Sequence, residues 1–298
     1  MELQWPLILF TTFVAWSAGL FGAQGLAVLA GEGKRAQLPA LIGSVALLAI
    51  GGVAVFFHLE HWERIFNGFG NPTSGITQEL VCIVVMAVLM AVLMVVLFVM
   101  LRKSEGAADA VAAPKWLATL MVIASAVTVL VTGHSYMMEA RPAWDTVLGP
   151  LSLLGVACAL GPATFAVIET VRDEAVGRGI ALGAVVGAAA NAVLSVAYLL
   201  VMEGSTEAYT EVGTYFDPTH PTAGVVDMAA LSPFAGESAA MAVVAAICAI
   251  APIVTAVLGK RSGNWKLWGA VTVALAVVGA VALRMAFYSV GASVYLFY

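Results

Sequence analysis

The chain has 298 residues, of which 62% are apolar and only 10% are charged, and its net charge is −5. Soluble globular proteins carry charge on about a quarter of their residues, so this composition excludes a soluble globule and predicts an integral membrane protein. The sequence contains no basic tract of the kind that binds nucleic acid.

Eight apolar runs follow one another along the chain, each close to the length that crosses a bilayer as a helix. Each run must satisfy its own backbone hydrogen bonds, and the alternating pattern of a transmembrane barrel is absent. We therefore predict an all-α polytopic membrane protein of eight transmembrane helices, a single integral membrane anchor domain over residues 1–298, with two four-helix bundles as one arrangement. The first run is interpreted as a retained span, because no basic residues precede it as in a signal peptide. The predicted spans are 5–30, 38–58, 79–101, 116–137, 146–171, 178–202, 237–258 and 265–291.

The basic residues are concentrated in alternate connections between the spans. Ten of the thirteen lie after spans one, three, five and seven. The positive-inside rule places these connections in the cytoplasm, so both termini are predicted to lie outside. The ten residues are Lys34, Arg35, Arg102, Lys103, Lys115, Arg172, Arg178, Lys260, Arg261 and Lys266.

The longest polar segment is residues 203–236, on the predicted outer side. It contains five acidic residues, two tyrosines and several glycines and prolines, and no helix-length apolar face. Loops longer than about 12–15 residues are usually functional or disordered. We interpret this segment as an outer loop that docks a soluble partner, and a merely solvated loop is the alternative.

The connection between the second and third spans holds the first candidates for a site. His58 ends the second span, where a neutral imidazole can accept a proton from a hydroxyl, or where the side chain simply reaches the interface. Glu79 opens the third span, either as a proton acceptor or as a first-turn acid behind an N-cap at Thr77. Arg64 and Asn67 could orient a ligand oxygen or pair with a neighbouring acid.

Two further ionisable residues lie inside the last span. Arg284 is well inside the apolar run and needs an anion or a carbonyl as a partner, and Tyr288 falls one turn later on the same helix face. Ligand binding and a structural pair with an outer acid are the two alternatives. In the fifth span, Glu169 is interpreted as reaching the cytoplasmic surface or pairing with Arg172.

Histidine and cysteine patterns give little support for a metal. His61 follows His58 by three residues, but no His or Cys cluster completes a ligand set, so no metal site is predicted. His58 and His134 at the outer ends of two spans give an alternative, as axial ligands of a b-type haem. The three cysteines lie in different spans without a CxxC motif and are interpreted as buried small residues.

Four segments carry a resemblance to a known family. They are WPLILFTTF followed by SAG, the segment FHLEHWERIFNGFGNPTSGITQEL, the turn from Tyr136 to Trp144 with PAW, and LRMAFYS in the last span. The chain resembles the membrane anchor subunit of the DMSO reductase family over most of its length. Eight spans with outer termini are also typical of that family. The chain departs from the family at His61 and Glu63, and its outer loop 203–236 is longer.

The resemblance implies a quinol-oxidising subunit without haem, in a bacterial or archaeal cytoplasmic membrane. Such an anchor holds a four-cluster iron–sulfur subunit and a molybdenum-bis(pyranopterin) catalytic subunit at the outer face. Iron–sulfur clusters and molybdopterin are therefore expected only in the partner subunits. The family's quinol-site histidine falls on His58, in a pattern continued by Arg64, Phe66 and Asn67, and its quinol-site glutamate falls on Glu79.

These observations together lead us to expect oxidation of menaquinol near the outer face. His58 and Glu79 would accept its protons, and electrons would pass to the iron–sulfur partner, so the chain has no terminal-acceptor chemistry of its own. The alternatives are a haem-containing cytochrome b anchor and, with less support, a transporter, which would place polar groups at mid-membrane. The residues expected to orient the quinol head group are Arg64, Asn67, Arg284 and Tyr288.

Overall fold

The computed structural model describes residues 3–104, 113–209 and 231–293, apart from the five side chains of Trp62, Glu63, Ile65, Phe66 and Tyr209. All regular elements in these ranges are helices, and eight of them are long and apolar enough to span a membrane. The predicted all-α, multi-pass class is therefore confirmed, while the outer position of the termini stays a prediction. The eight helices are α1 (Trp5–Ala30), α2 (Gln37–Phe56), α3 (Gly75–Lys103), α4 (Lys115–His134), α5 (Leu148–Val171), α6 (Arg178–Gly204), α7 (Ala239–Ser262) and α8 (Trp265–Ser289).

The facing ends of α2 and α3 differ from the predicted boundaries. Helix α2 ends at Phe56, so His58 lies in the turn beyond it rather than in the span. Helix α3 begins at Gly75, four residues before the predicted start, and Glu79 therefore lies in its second turn. A carboxyl group one turn into the helix is farther from the unpaired N–H groups of the helix end that would otherwise stabilise its charge.

The start of α3 is held by a contact that the sequence did not suggest. Ser74 occupies the N-cap position, so the predicted N-cap at Thr77 is wrong. The Thr77 hydroxyl instead donates to the carbonyl oxygen of Gly68. Gly68 belongs to the short 3₁₀ helix Trp62–Phe69, called the outer 3₁₀ helix below, which this bond holds against α3.

Helices α1 and α5 form the centre of the molecule. Helix α1 packs against α2, α4 and α5, and α5 also packs against α6 and α8. The contact between α1 and α5 is close because both helices carry glycine there, as is common where membrane helices meet. A Cβ atom on Gly161 would lie 2.1 Å from the carbonyl oxygen of Gly19. This contact joins the first four helices to the last four, so the arrangement as two bundles stays a prediction.

Changing Gly161 to alanine is expected to lower the thermal unfolding midpoint of the purified protein. The added Cβ must push α1 away from α5, and overpacking of this kind costs about 1–3 kcal/mol. Gly52→Ala is the matched control, because a Cβ at that mid-helix glycine of α2 meets no heavy atom within 4 Å. Equal midpoints for the two variants would contradict the close α1–α5 packing.

Helices α2 and α3 lie at the periphery and turn apolar side chains outward. Only about a fifth of the most apolar stretch of α3 is buried. Such a surface is excluded for a protein in water but is what the hydrocarbon of a bilayer requires. The exposed large side chains of α3 include Ile76, Val81, Val84, Val85, Val88, Val92, Val95, Phe98 and Val99.

Candidate functional site

A buried polar cluster lies at the end of the molecule where α2 ends and α3 begins, called the outer end below. Glu79 is 7% exposed, although it is a carboxyl group in a transmembrane helix. Its Oε2 atom lies 3.2 Å from Ser135 Oγ, which also lies 2.8 Å from the carbonyl oxygen of Thr132. A serine hydroxyl has one hydrogen, so it cannot serve both acceptors fully. Glu79 Oε1 has no partner among the described residues.

An aromatic wall lies beside this carboxyl group, made of Tyr136 and Trp144 from the turn between α4 and α5 and of Phe287 and Tyr288 from α8. Trp144 stacks on Phe287 with ring centroids 4.3 Å apart, and its Nε1 donates to the carbonyl oxygen of Phe287 at 2.8 Å. Tyr136 meets the other three rings edge-on at 5.9 to 6.4 Å. These contacts fix the turn against the outer end of α8.

Arg141 adds a second attachment of the same turn. Its Nη1 donates to the carbonyl oxygen of Gly291 at 2.6 Å, and its guanidinium carbon lies 4.3 Å from the centre of the Trp144 ring. A charged hydrogen bond and a cation–π contact on one side chain hold the turn firmly. The aromatic wall is therefore a rigid feature of the outer end.

The phenol of Tyr136 is a permanent hydrogen-bond donor at neutral pH. Its burial among the rings raises its pKa well above the ordinary value, and nearby Tyr288 and Glu79 raise it further, against an opposing effect of Arg284. Glu79 of α3 contacts Ser135, the residue before this tyrosine, and the Tyr136 ring lies 5.9 and 6.3 Å from those of Phe287 and Tyr288 of α8. The structure thus brings Glu79, Arg284 and Tyr288 together around Tyr136.

Arg284 and Tyr288 contribute further polar atoms without partners. Arg284 is only 4% exposed, and its guanidinium carbon lies 5.2 Å from the centre of the Phe287 ring. Its Nη2 atom has no hydrogen-bond partner in the described part of the chain, and the hydroxyl of Tyr288 approaches that of Tyr136 without forming a regular hydrogen bond. The predicted structural pair of Arg284 with an outer acid does not occur at this nitrogen.

Four buried atoms at the outer end therefore form no regular hydrogen bond with the described residues, although the Thr132 hydroxyl lies near Glu79 and the Tyr288 hydroxyl lies near that of Tyr136. They are a carboxylate oxygen of Glu79, the hydroxyls of Thr132 and Tyr288, and a guanidinium nitrogen of Arg284. A buried polar group without a partner costs about 1–3 kcal/mol, and more when it is charged. Folded proteins avoid this cost, so the set indicates a place for a polar ligand or for ordered water. Both donors and acceptors are available, beside an aromatic surface.

The remaining predicted site residues lie at the same end but outside this cluster. His58 is exposed in the turn beyond α2, and Arg64 and Asn67 are exposed on the outer 3₁₀ helix. His134, the other histidine of the haem alternative, is also exposed, and its Nδ1 lies 3.4 Å from Met137 Sδ. The structure therefore separates the predicted residues into a buried group and an exposed group.

Tyr136, Thr132 and Ser135 are members of the cluster that the sequence analysis did not select. None of them is ionised at neutral pH, so none stands out in a search for charges within apolar runs. A signal existed in the spacing, because Thr128, Thr132 and Ser135 follow one another at three- and four-residue intervals and so share a face of α4.

The predicted role of Glu169 is wrong. Its side chain is 0% exposed, and no side chain among the described residues donates to either carboxylate oxygen. It therefore neither reaches the surface nor pairs with Arg172.

Most of the predicted docking loop, residues 210–230, lies outside the described residues. Its two ends are joined by a hydrogen bond from Ser232 Oγ to Glu203 Oε2 at 2.5 Å.

Comparison of the chain with protein-family models, curated proteins and solved structures found no match.

Proposed function

We propose that the chain is the membrane anchor and quinol-oxidising subunit of a molybdoenzyme complex of the DMSO reductase family, with menaquinol as its reductant. The observation that carries the proposal is the outer-end set of four unpaired buried polar atoms beside the aromatic wall. A quinol presents a flat ring and two hydroxyl groups, which are both donors and acceptors. The cluster offers the complementary groups at one end of the apolar helices, where a lipid-soluble molecule could reach them.

The chemistry of the site follows from the charge of each group. Oxidation of a quinol breaks two O–H bonds and releases two protons and two electrons. Glu79 Oε1 is proposed to accept one proton, because it is the only carboxylate oxygen of the described cluster that forms no regular hydrogen bond. Arg284 Nη2 and the Tyr288 hydroxyl are placed to donate to the oxygen at which negative charge develops.

His58 is proposed as the second proton acceptor, acting through water at the outer surface. It is exposed at the end of α2, on the side where the released protons leave. Arg64 and Asn67 lie on the neighbouring outer 3₁₀ helix and are proposed to orient the head group as it enters. Electrons pass to an iron–sulfur cluster of a partner docked over the outer end, followed by the molybdenum subunit. Oxidation therefore releases protons on the side where the acceptor is reduced.

No observation favours the alternatives. Axial ligands of a haem must face each other across the cofactor, whereas His58 and His134 are both exposed beyond or at their helix ends. A transporter of the discontinuous-helix type needs broken helices at its binding site, and each of the eight spans here is continuous.

Replacing His58 by leucine in the assembled complex is expected to lower quinol-linked turnover by about tenfold or more, because a proton acceptor is lost. His134→Leu is the matched control at the same end, and it should leave turnover unchanged. A loss in both variants together with loss of a b-type absorption band would support the haem alternative. Full turnover with unchanged affinity for a quinol analogue in the His58 variant would remove His58 from the mechanism.

A further inference from the structure

A second buried polar cluster lies at the opposite end of the helices, among the connections that carry the basic residues. The connection between α1 and α2 and the connection between α5 and α6 each supply a carboxylate that binds backbone N–H groups at the other. Glu32 accepts from the N–H groups of Gly179 and Ile180 at 2.9 and 3.2 Å. In return, Glu174 accepts from the N–H groups of Lys34 and Arg35 at 3.0 Å each. Each carboxylate therefore caps the backbone N–H groups at the opposite connection, beside the cluster.

Glu169 lies beneath these caps. It belongs to the last turn of α5 and is fully buried, no side chain among the described residues donates to either carboxylate oxygen, and the backbone N–H of Gly177 approaches it without forming a regular hydrogen bond. The backbone of Gly33 lies against it, since a Cβ on Gly33 would come within 3.1 Å of Glu169 Oε1. Gly33 has a φ of +63°, so glycine is needed here both for conformation and for space.

Two buried glutamines complete the cluster and are both oriented by the same connection. Gln24 donates from Nε2 to the carbonyl oxygen of Gln37 at 2.7 Å, and Gln37 donates from Nε2 to the carbonyl oxygen of Gly33 at 3.1 Å. Their side chains are 0% and 1% exposed. Both amide nitrogens thus donate to a carbonyl oxygen. Both amide oxygens have no hydrogen-bond partner in the described part of the chain.

The cluster therefore presents four acceptor oxygens on three buried side chains, and among the described residues no side chain donates to them. This differs from the outer end, where Arg284 and Tyr288 supply donors. A buried carboxylate without a side-chain donor is costly in a membrane protein, and a bound cation or a proton on the carboxyl group removes the uncompensated negative charge, which water alone does not. The nearby carboxylates of Glu32 and Glu174 act electrostatically on Glu169 and add to the attraction for a cation. The basic residues of the two connections that carry these caps, Lys34, Arg35, Arg172 and Arg178, are exposed.

We propose that Glu169, Gln24 and Gln37 form a monovalent-cation site at the cytoplasmic end of the helices, holding either a proton on Glu169 or a sodium ion against its carboxylate. A single carboxylate with two amide oxygens offers one negative charge, which matches a monovalent ion. Hard divalent cations are usually bound by more oxygen ligands and more charge. This site is independent of the proposed quinol chemistry, because it lies at the other end of the helices and shares no residue with it.

The test compares the purified full chain with Glu169→Gln, which keeps the shape of the side chain and removes its charge. Thermal unfolding is measured in sodium, potassium and choline chloride at equal ionic strength, and infrared spectra are recorded for both proteins. If sodium binds, the midpoint of the wild type rises specifically in sodium, and the variant loses this rise. If a proton binds, the midpoint is independent of the salt, and the wild type shows a carboxylic C=O band that the variant lacks.

Glu139→Gln at the exposed outer surface serves as the control and should change neither readout. The proposal is overturned if the wild type shows neither a sodium-specific rise of the midpoint nor a carboxylic C=O band that Glu169→Gln removes. Gln24→Met provides a second variant if Glu169→Gln does not fold. Loss of this one acceptor should weaken the sodium response severalfold or shift the carboxylic band, and an unchanged result in both would also overturn the site.

Discussion

Replacing Glu79 by glutamine in the assembled complex is expected to reduce quinol-linked turnover by about 100-fold or more, the usual contribution of a positioned general base. Glutamine keeps the size of the side chain and its contact with Ser135 Oγ, which lies 3.2 Å from the carboxylate. It cannot accept a proton from a quinol hydroxyl. Turnover should therefore fall much more than the affinity for a quinol analogue.

The comparison for this variant is Glu139→Gln, another acid at the outer end whose side chain is exposed. Assays of turnover and of analogue binding on the same preparations separate the chemical step from binding. If Glu79→Gln turns over as fast as the wild type, Glu79 is not the proton acceptor and the proposed chemistry fails.

Replacing Arg284 by methionine is expected to leave the fold as stable as before, or more stable, while weakening the binding of a quinol analogue. A buried guanidinium with an unpaired nitrogen is a cost to the fold, so a long apolar side chain in its place removes that cost. A hydrogen bond from a charged donor to the ligand is worth about 1.5–3 kcal/mol, which corresponds to a loss of about 10- to 150-fold in affinity.

Thermal unfolding and titration with a quinol analogue measure the two effects on one preparation. Lys260→Met, at the exposed last turn of α7, controls for the loss of a positive charge. A structural arginine would give the opposite pattern, with a strong fall in the unfolding midpoint and an unchanged affinity for the analogue.

The eight spans could be predicted from the sequence because hydrocarbon leaves an apolar segment only one way to satisfy its backbone. The helix ends could not be placed as well. The second apolar run continues through Phe57, which is 80% exposed, so the composition does not mark the end of α2 at Phe56. At α3, Ser74 and Gly75 begin the helix four residues earlier than the hydropathy indicated.

The site was predictable where it carries charge and at Tyr288, which lies one turn after the charged Arg284. Glu79 and Arg284 are visible in the sequence because an ionisable group in an apolar run is expensive and needs an explanation. Tyr136 and Thr132 join them only through the path of the turn after α4, which no periodic pattern describes. The unpaired glutamines Gln24 and Gln37 were equally hidden, because a neutral amide in a span is inexpensive until its partners are known.

The most direct test of the account is photochemical cross-linking of the purified complex with a photoreactive menaquinone analogue, followed by mapping of the labelled peptides by mass spectrometry. We predict labels around Glu79 at the start of α3, between Thr132 and Trp144 and around Arg284 to Tyr288, with competition by unlabelled quinone. Labels confined to other helices, or labels at these segments that unlabelled quinone does not reduce, would contradict a quinol site at the outer-end cluster.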